Sequence, residues 1–90
     1  MKRWPVEIGS IVISTAGRDE GRRFIVIQEL DDDFVMVANG ELRKMDRQKK
    51  KRRRHLKPTG RVIQALRERI GEGKPVEDHE LRSWLSEEEE

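Results

Sequence analysis

Residues 8–27 read IGSIVISTAGRDEGRRFIVI, and this stretch decides the fold of the N-terminal half of the chain. Its β-branched run predicts a strand over residues 9–14, and its second apolar run predicts another over residues 24–30. A polar loop with glycine at Gly17 and Gly21 separates the two runs. The stretch therefore predicts two strands joined by a glycine-containing loop.

Three more strand signals follow at close spacing, at residues 34–38, 42–45 and 55–56. The three aspartates at residues 31–33 predict the turn before the first of them. Asn39-Gly40 predicts a type I′ hairpin turn before the second, with positive φ at both residues. About five short strands joined by tight turns favour a small antiparallel barrel, because closure hides the strand edges.

The apolar pattern changes to a helical period after Pro58, with apolar residues at Val62, Ile63, Leu66 and Ile70. Thr59 is the predicted N-cap of this helix, and Gly71 is the residue predicted to follow it. A second helix is predicted to begin near Glu77 or Asp78. Neither short helix is stable alone, so both must pack on each other, on the barrel or on a partner.

These signals predict a mainly β protein with C-terminal α structure. Residues 1–57 are expected to form the barrel, and residues 58–90 a two-helix extension that ends in an acidic tail. In the second helix, Val76 and Leu81 occupy the two positions of a hydrophobic staple if Glu77 is the N-cap.

The charge distribution is uneven along the chain. Ten of the fifteen residues 43–57 are Lys or Arg, half of the twenty in the whole chain. Residues 1–71 carry 18 basic and 10 acidic side chains, whereas residues 72–90 carry 2 and 8. Because so dense a charge repels itself in a folded protein, a partner of opposite sign is expected, and nucleic-acid phosphate is the commonest one. A solvated charged strand without a partner is the alternative.

Composition excludes or disfavours several other classes of protein. The chain has no cysteine, so disulfides and thiolate metal sites are excluded. His55 and His79 have no suitably spaced second ligand, so we expect neither a metal nor another cofactor. No nucleophile, base and orienting acid can be assembled, so an enzyme is not expected. We see no signal peptide and no apolar run near the roughly 20 residues of a membrane span, which predicts a cytoplasmic protein without a membrane partner.

The loop and its flanking strands resemble the KOW motif of ribosomal proteins and NusG-type transcription factors, with Gly17 as the central glycine. The similarity continues through AGRD at 16–19, GR at 21–22, VANG at 37–40, LRK at 42–44 and KRRRHL at 51–56. Over about residues 6–57 the chain is similar to a bacterial group of short KOW-containing RNA-binding proteins, itself similar to a large-subunit ribosomal protein family of archaea and eukaryotes. The resemblance implies an SH3-like barrel that binds RNA on or near the ribosome.

Two segments are predicted to contact RNA phosphates, the glycine loop and the basic run. Glycine lets a turn bring backbone N–H groups close to a phosphate, and arginine offers paired donors. The predicted RNA-binding residues are Gly17, Arg18, Gly21, Arg22, Arg23, Arg43, Lys44, Lys49, Lys50, Lys51, Arg53 and His55. Strand alternation would turn Lys51, Arg53 and His55 to one face and Arg52, Arg54 and Leu56 to the other. We expect the first of these two sets to supply the better RNA contacts.

Aromatic residues are scarce, so we expect recognition of shape and phosphate rather than of base identity. Trp4 is either a stacking residue or part of a packed barrel edge. The main alternative to RNA binding is a protein-interaction module of the NusG type acting in transcription or translation, with a partner at Leu81, Trp84 and Leu85. Duplex DNA binding through the basic run is a third interpretation.

Overall fold

The computed structural model describes residues 6–88, without the side chain of Glu88, so Trp4 and the end of the acidic tail lie outside the described residues. The strands are β1 (Ser10–Ser14), β2 (Arg23–Glu29), β3 (Phe34–Ala38), β4 (Lys49–Arg52) and β5 (Leu56–Val62). Two single 3₁₀ turns flank β4, at Met45–Arg47 and Arg53–His55, and the helices are α1 (Gln64–Gly71) and α2 (Asp78–Glu88).

The five strands form one antiparallel sheet in the order β4-β3-β2-β1-β5. The strand pairing shifts register twice, between Ser10 and Val12 on β1 and between Val26 and Gln28 on β2. Such irregularities bend a strand, which helps the sheet to curl around a core. With its 3₁₀ turn between β4 and β5, this is an SH3-like barrel followed by two helices, and the predicted fold class is confirmed.

Strand β2 is buried on both of its faces. Phe24 and Val26 point into the barrel, where they join Val6, Val12, Val35, Val37 and Leu56. Ile25 and Ile27 point to the opposite face, where they form a second cluster with Ile11, Ala38, Leu66, Val76, Leu81 and Leu85. Because successive strand residues alternate between faces, a continuous apolar run needs cover on both sides. Helices α1 and α2 supply that cover, so the helices pack on the barrel.

The start of α2 agrees with its sequence signals. The Glu80 carboxylate accepts a hydrogen bond from the backbone N–H of Glu77 at 3.0 Å, which is the reach-back contact of a capping box. Val76 and Leu81 are both buried in the second cluster, as the staple requires. The predicted beginning of this helix near residues 77 and 78 is therefore confirmed.

The predicted Asn-Gly hairpin is wrong. Gly40 has φ +80, but Asn39 does not have positive φ, so the turn is not type I′. The Asn39 side-chain oxygen instead accepts hydrogen bonds from the N–H groups of Glu41 and Arg43, both at 3.0 Å. These bonds hold residues 39–44 as a loop, and the return strand predicted over residues 42–45 is replaced by bends and the first 3₁₀ turn.

The predicted N-cap at Thr59 is also wrong, because β5 continues to Val62 and α1 begins at Gln64. Thr59 donates its hydroxyl to the carbonyl oxygen of Ile11 at 2.9 Å, a contact across the sheet. Pro58 lies within the strand opposite Val12. An edge strand tolerates proline, because the missing N–H can face away from the ladder, and β5 is the last strand in the sheet order.

Candidate nucleic-acid interface

The loop between β1 and β2, residues 15–22, is built on two glycines with positive φ. Gly17 has φ +79 and Gly21 has φ +89. Gly21 donates its N–H to the Ser14 carbonyl at 2.8 Å, and the N–H of Arg22 donates to the Asp19 carbonyl at 2.9 Å. A Cβ atom on either glycine would meet no atom of the described chain within 4 Å. Glycine is therefore required by the backbone conformation, and the space above both positions is open to a ligand.

Strand β4 and the turn after it lie directly against this loop. The Lys49 ammonium donates to the Asp19 carboxylate at 2.7 Å, and the Lys51 ammonium lies 3.4 Å from the carbonyl oxygen of Ala16. The backbone N–H of Thr15 donates to the His55 carbonyl at 2.8 Å. The structure thus brings together the two segments from which the sequence predicted RNA contacts.

The charges at this junction shift each other's proton affinity. The hydrogen bond from Lys49 lowers the pKa of the Asp19 carboxyl, and the positive charges of Lys49, Lys51 and Arg43 lower it further. Burial lowers the pKa of the Lys51 ammonium, as does repulsion from Lys49, while the Asp19 charge opposes this shift. Asp19 is therefore an ionised group at neutral pH that holds the loop to the basic strand.

Arg53 is buried, and its guanidinium makes three hydrogen bonds within the chain. Only 5% of it is exposed. Its guanidinium donates to the Asp31 carbonyl at 3.1 Å, to the Glu29 carboxylate at 2.8 Å and to the carbonyl of Val6. These three acceptors tie together the N-terminal segment, the end of β2 and the aspartate turn. The contacts make Arg53 a structural cation.

The orientation expected from strand alternation is wrong. Lys51 and Arg53 are buried, whereas Arg52 and Arg54 are exposed. The 3₁₀ turn Arg53–His55 breaks the two-residue period before the chain reaches Leu56, so Arg53 and Leu56 both point inward although they are three residues apart. Sequence reasoning therefore underestimated the exposure of Arg52 and Arg54. Alternation counted back from Leu56 placed them on the inner face, and no local signal marked the 3₁₀ turn that reverses this.

The outward residues of β4 share one aromatic support. The Lys50 ammonium lies 4.4 Å from the centre of the Phe34 ring, and the Arg52 guanidinium carbon lies 4.8 Å from it. Both are cation–π distances, and they hold two exposed positive groups side by side. Arg52 and Arg54 also line a surface groove of about 430 Å³ that contains Asp32 and Asp33.

The remaining predicted RNA-binding residues differ in exposure. The exposed ones are Gly17, Arg18, Gly21, Arg22, Lys44 and Lys50, and the half-buried ones are Arg23, Arg43, Lys49 and His55. Only the exposed and half-buried groups are accessible to a macromolecular ligand in this conformation.

The helix face predicted to meet a protein partner packs inside the molecule. Leu81 and Leu85 are buried against the sheet, and Trp84 is half-buried at the edge of the same cluster. The Arg69 guanidinium carbon lies 5.9 Å from the centre of the Trp84 ring system. Neither helix within residues 6–88 has the length and apolar character to cross a membrane.

Comparison with known proteins identifies relatives that share one name. No protein-family model matches the chain. Three relatives named large ribosomal subunit protein eL14 come from Saccharolobus islandicus, Desulfurococcus amylolyticus and Metallosphaera sedula. Their identities to the chain are 30% over 86 residues, 37% over 62 residues and 24% over 82 residues, respectively.

Coverage differs between these relatives. The Saccharolobus alignment covers 91% of this chain and 78% of the relative, and the Metallosphaera alignment covers the same shares. The Desulfurococcus alignment covers 69% of the chain, which spans only 65% of that relative. These relatives are archaeal, so the comparisons do not support the expected place in a bacterial group, but they do support a KOW-type ribosomal protein. The chain belongs to the eL14 family of large ribosomal subunit proteins.

Proposed function

We propose that this chain binds ribosomal RNA of the large subunit, and that it contacts the phosphates of structured RNA through the loop 15–22 and the exposed cations of β4. One observation supports the proposal: Lys49 and Lys51 reach from β4 to the loop, so the glycine loop and the basic strand are adjacent in the structure. The relatives' name, large ribosomal subunit protein, supports ribosomal RNA as the polyanion. The corresponding location is the cytoplasmic ribosome.

The contacts to RNA fall to exposed side chains. Arg18 and Arg22 on the loop, together with Lys50 and Arg52 on β4, present charged donors to solvent. An arginine fork can bind two phosphate oxygens at once, and each neutralised phosphate releases condensed counterions. Lys49 and Lys51 have a supporting role, because their ammonium groups are directed to Asp19 and to the Ala16 carbonyl.

Recognition is expected to depend on backbone and shape. Phe24 is buried in the barrel, and Phe34 is covered by Lys50 and Arg52. Trp84 is packed at the edge of the helix-covered cluster. Within the described part of the chain, no aromatic ring is therefore left free as a platform for base stacking, which is the usual means of reading single strands.

Salt dependence of RNA binding tests the proposal. The full chain is titrated with a transcript of its own organism's large-subunit ribosomal RNA at several salt concentrations. Affinity should fall steeply with salt, by a slope of about 0.7 to 0.9 per phosphate contact. Arg18→Gln should weaken binding and reduce the salt slope by about 0.7 to 0.9, the value of one phosphate contact. The matched variant Arg67→Gln, on α1 and paired with Glu7, should leave both unchanged.

Binding that does not respond to salt would contradict this function. Equal competition by duplex DNA of the same length would instead favour the DNA interpretation, because A-form shape and the 2′-hydroxyl distinguish RNA. The NusG-type protein-interaction alternative gains no support from α2, since Leu81 and Leu85 are already buried by the chain itself. A pull-down of a protein partner that survives ribonuclease and fails with Trp84→Ala would revive it.

A further inference from the structure

A surface groove of about 510 Å³ lies where the end of the loop 15–22 meets the turn at residues 39–41 and helix α2. Three of its lining residues are arginines: Arg22 at the end of the loop 15–22, Arg23 at the start of β2, and Arg82 on α2. One lining carboxylate, on Glu41, opposes three guanidinium groups, so the groove is electropositive. Its volume is within the range of about 300 to 1,000 Å³ that is typical of ligand sites.

Arg23 has an unusual buried nitrogen. Among the side chains that the structure describes, its Nη1 is the buried polar atom without a hydrogen-bond partner. A buried charged donor without an acceptor is unfavourable, and an anionic oxygen is the acceptor that suits a guanidinium best. Arg23 lines the groove from the barrel side, and its guanidinium therefore keeps one donor that no acceptor of the described chain uses.

Arg82 is held in place on the opposite side of the groove. Its Nη1 donates to the Gly40 carbonyl at 2.6 Å, and this contact uses one of the five N–H donors of the side chain. Gly40 itself is tightly packed against α2, because a Cβ at that position would lie 2.4 Å from the Asp78 carbonyl oxygen. The backbone N–H of Met45 also donates to the Asp78 carboxylate at 2.7 Å. Helix α2 therefore presents Arg82 from a fixed position relative to the barrel.

The composition of the groove favours a phosphate over a base. Its other lining residues are Gly21, Asn39, Leu85 and Ser86, so no aromatic ring lines it. Stacking on a base is therefore not available, whereas guanidinium, amide and hydroxyl donors are. A sugar–phosphate backbone is the ligand that uses these donors.

We propose that this groove is a phosphate-binding site for ribosomal RNA, in which Arg23 and Arg82 bind the same backbone segment from the barrel and from α2. The inference rests on the proposed function and extends the RNA interface to the C-terminal helix. RNA bound there would bridge the loop 15–22 and α2.

The test compares full-length variants in titrations with the large-subunit ribosomal RNA transcript. Arg23→Gln and Arg82→Gln should each weaken binding about tenfold, because each removes a charge-assisted hydrogen bond. Each should also reduce the salt slope by about 0.7 to 0.9. Arg82→Lys keeps the charge and should keep the slope. Arg67→Gln, which removes an arginine outside the groove, should change neither quantity.

Two readouts separate a binding role from a structural one. Thermal unfolding of each variant identifies any loss of fold, which matters for Arg82 because of its bond to Gly40. The side-chain Nε–Hε signal of Arg23 in a ¹⁵N-arginine spectrum should shift on addition of RNA. If folded Arg23→Gln keeps the wild-type affinity and salt slope while Arg18→Gln weakens binding, the groove is not a phosphate-binding site. The proposed function would then stay intact. Failure of the wild-type chain to bind the transcript would overturn both.

Discussion

Six consecutive basic residues, 49–54, divide into two groups with opposite surroundings. We call Lys49, Lys51 and Arg53 the inner cations, because Asp19, the Ala16 carbonyl and Glu29 accept their hydrogen bonds. We call Lys50, Arg52 and Arg54 the outer cations, because all three are exposed. Residues of one chemical type that are adjacent in sequence therefore have different roles in the structure.

The difference shows that charge density in a sequence overstates the charge that is available to a ligand. The inner cations attach the loop 15–22, the end of β2 and the aspartate turn to the barrel. The outer cations contribute less to the stability of the fold, and two of them lie over the Phe34 ring. Mutations in the two groups should therefore affect different measurements.

The largest effect is expected at Arg53. Arg53→Met leaves the Val6 and Asp31 carbonyls and the Glu29 carboxylate without this donor. Breaking a buried ion pair is strongly destabilising, and because Glu29 is partly exposed we expect a loss of about 2 to 4 kcal/mol in the free energy of unfolding. Urea denaturation measures this loss. The neighbouring Arg54→Met should change it by less than about 0.5 kcal/mol, and equal losses in the two variants would remove the distinction between inner and outer cations.

The next effect is on RNA binding by the outer cations. The double variant Lys50→Gln, Arg52→Gln should reduce the salt slope by about 1.4 to 1.8, which is two contacts at 0.7 to 0.9 each. Its unfolding free energy should fall by no more than about 1 to 2 kcal/mol, since exposed cation–π contacts contribute about 0.5 to 1 kcal/mol apiece. Titration with the ribosomal RNA transcript at several salt concentrations measures the slope.

A charge-matched control for this pair lies outside β4, on α1 and in the segment after it. Arg67→Gln, Lys74→Gln removes two basic groups that pair with Glu7 and Glu72. Its salt slope should equal that of the wild-type chain. If the control and the outer-cation variant lost the same slope, RNA binding would depend on net charge alone and not on this strand.

The smallest effect concerns acid stability at Asp19. Its folded-state pKa lies below the ordinary value of 3.8, so its contribution to stability is fully present above pH 3.8 and is lost as the pH falls through the lower folded value. Asp19→Asn removes this contribution, which for a partly exposed ion pair is about 1 kcal/mol or less. Urea denaturation between about pH 2 and pH 5, a window that includes the range below the ordinary carboxyl pKa, should give a flatter pH profile for the variant than for the wild-type chain.

The acid profile of the variant should not become completely flat. Hydrogen bonds from the Asp33 and Phe34 N–H groups lower the pKa of Asp31, and the hydrogen bond from Arg69 lowers the pKa of Glu80. These two carboxyls therefore also contribute less to the free energy of unfolding as the pH falls. If the free energy of unfolding changed with pH identically in the wild-type chain and in Asp19→Asn, the Lys49 contact would not stabilise the fold.

The first three strands and the second helix could be predicted because their signals are local, whereas β4 and most of β5 were not placed. The β-branched and apolar runs placed β1, β2 and β3 to within one residue at each end, and the staple residues placed the start of α2. The short length of the two helices also indicated that they had to pack on each other, on the barrel or on a partner. The division into units 1–57 and 58–90 stays a prediction, as do the individual RNA contacts.

Three of the errors lie where the decisive partner is distant in sequence. Thr59 bonds to Ile11, 48 positions away, and this contact keeps it in a strand. Met45 bonds to Asp78, 33 positions away, at the segment that was expected to be a strand. Arg53 bonds to Val6, 47 positions away, and this contact turns it inward. No local pattern contains these partners, so propensity alone could not have placed these residues.

The amino-acid sequence by itself determined a small antiparallel barrel with a glycine loop, a concentration of positive charge and two helices, because short-range periodicity and backbone preference specify these features. Only the tertiary structure decided which cations face solvent. A basic side chain is inward when folding brings carboxylates or carbonyls within its reach, as Glu29, Asp31 and Val6 do for Arg53. The cost of burying a charge without such partners leaves the other basic side chains in water.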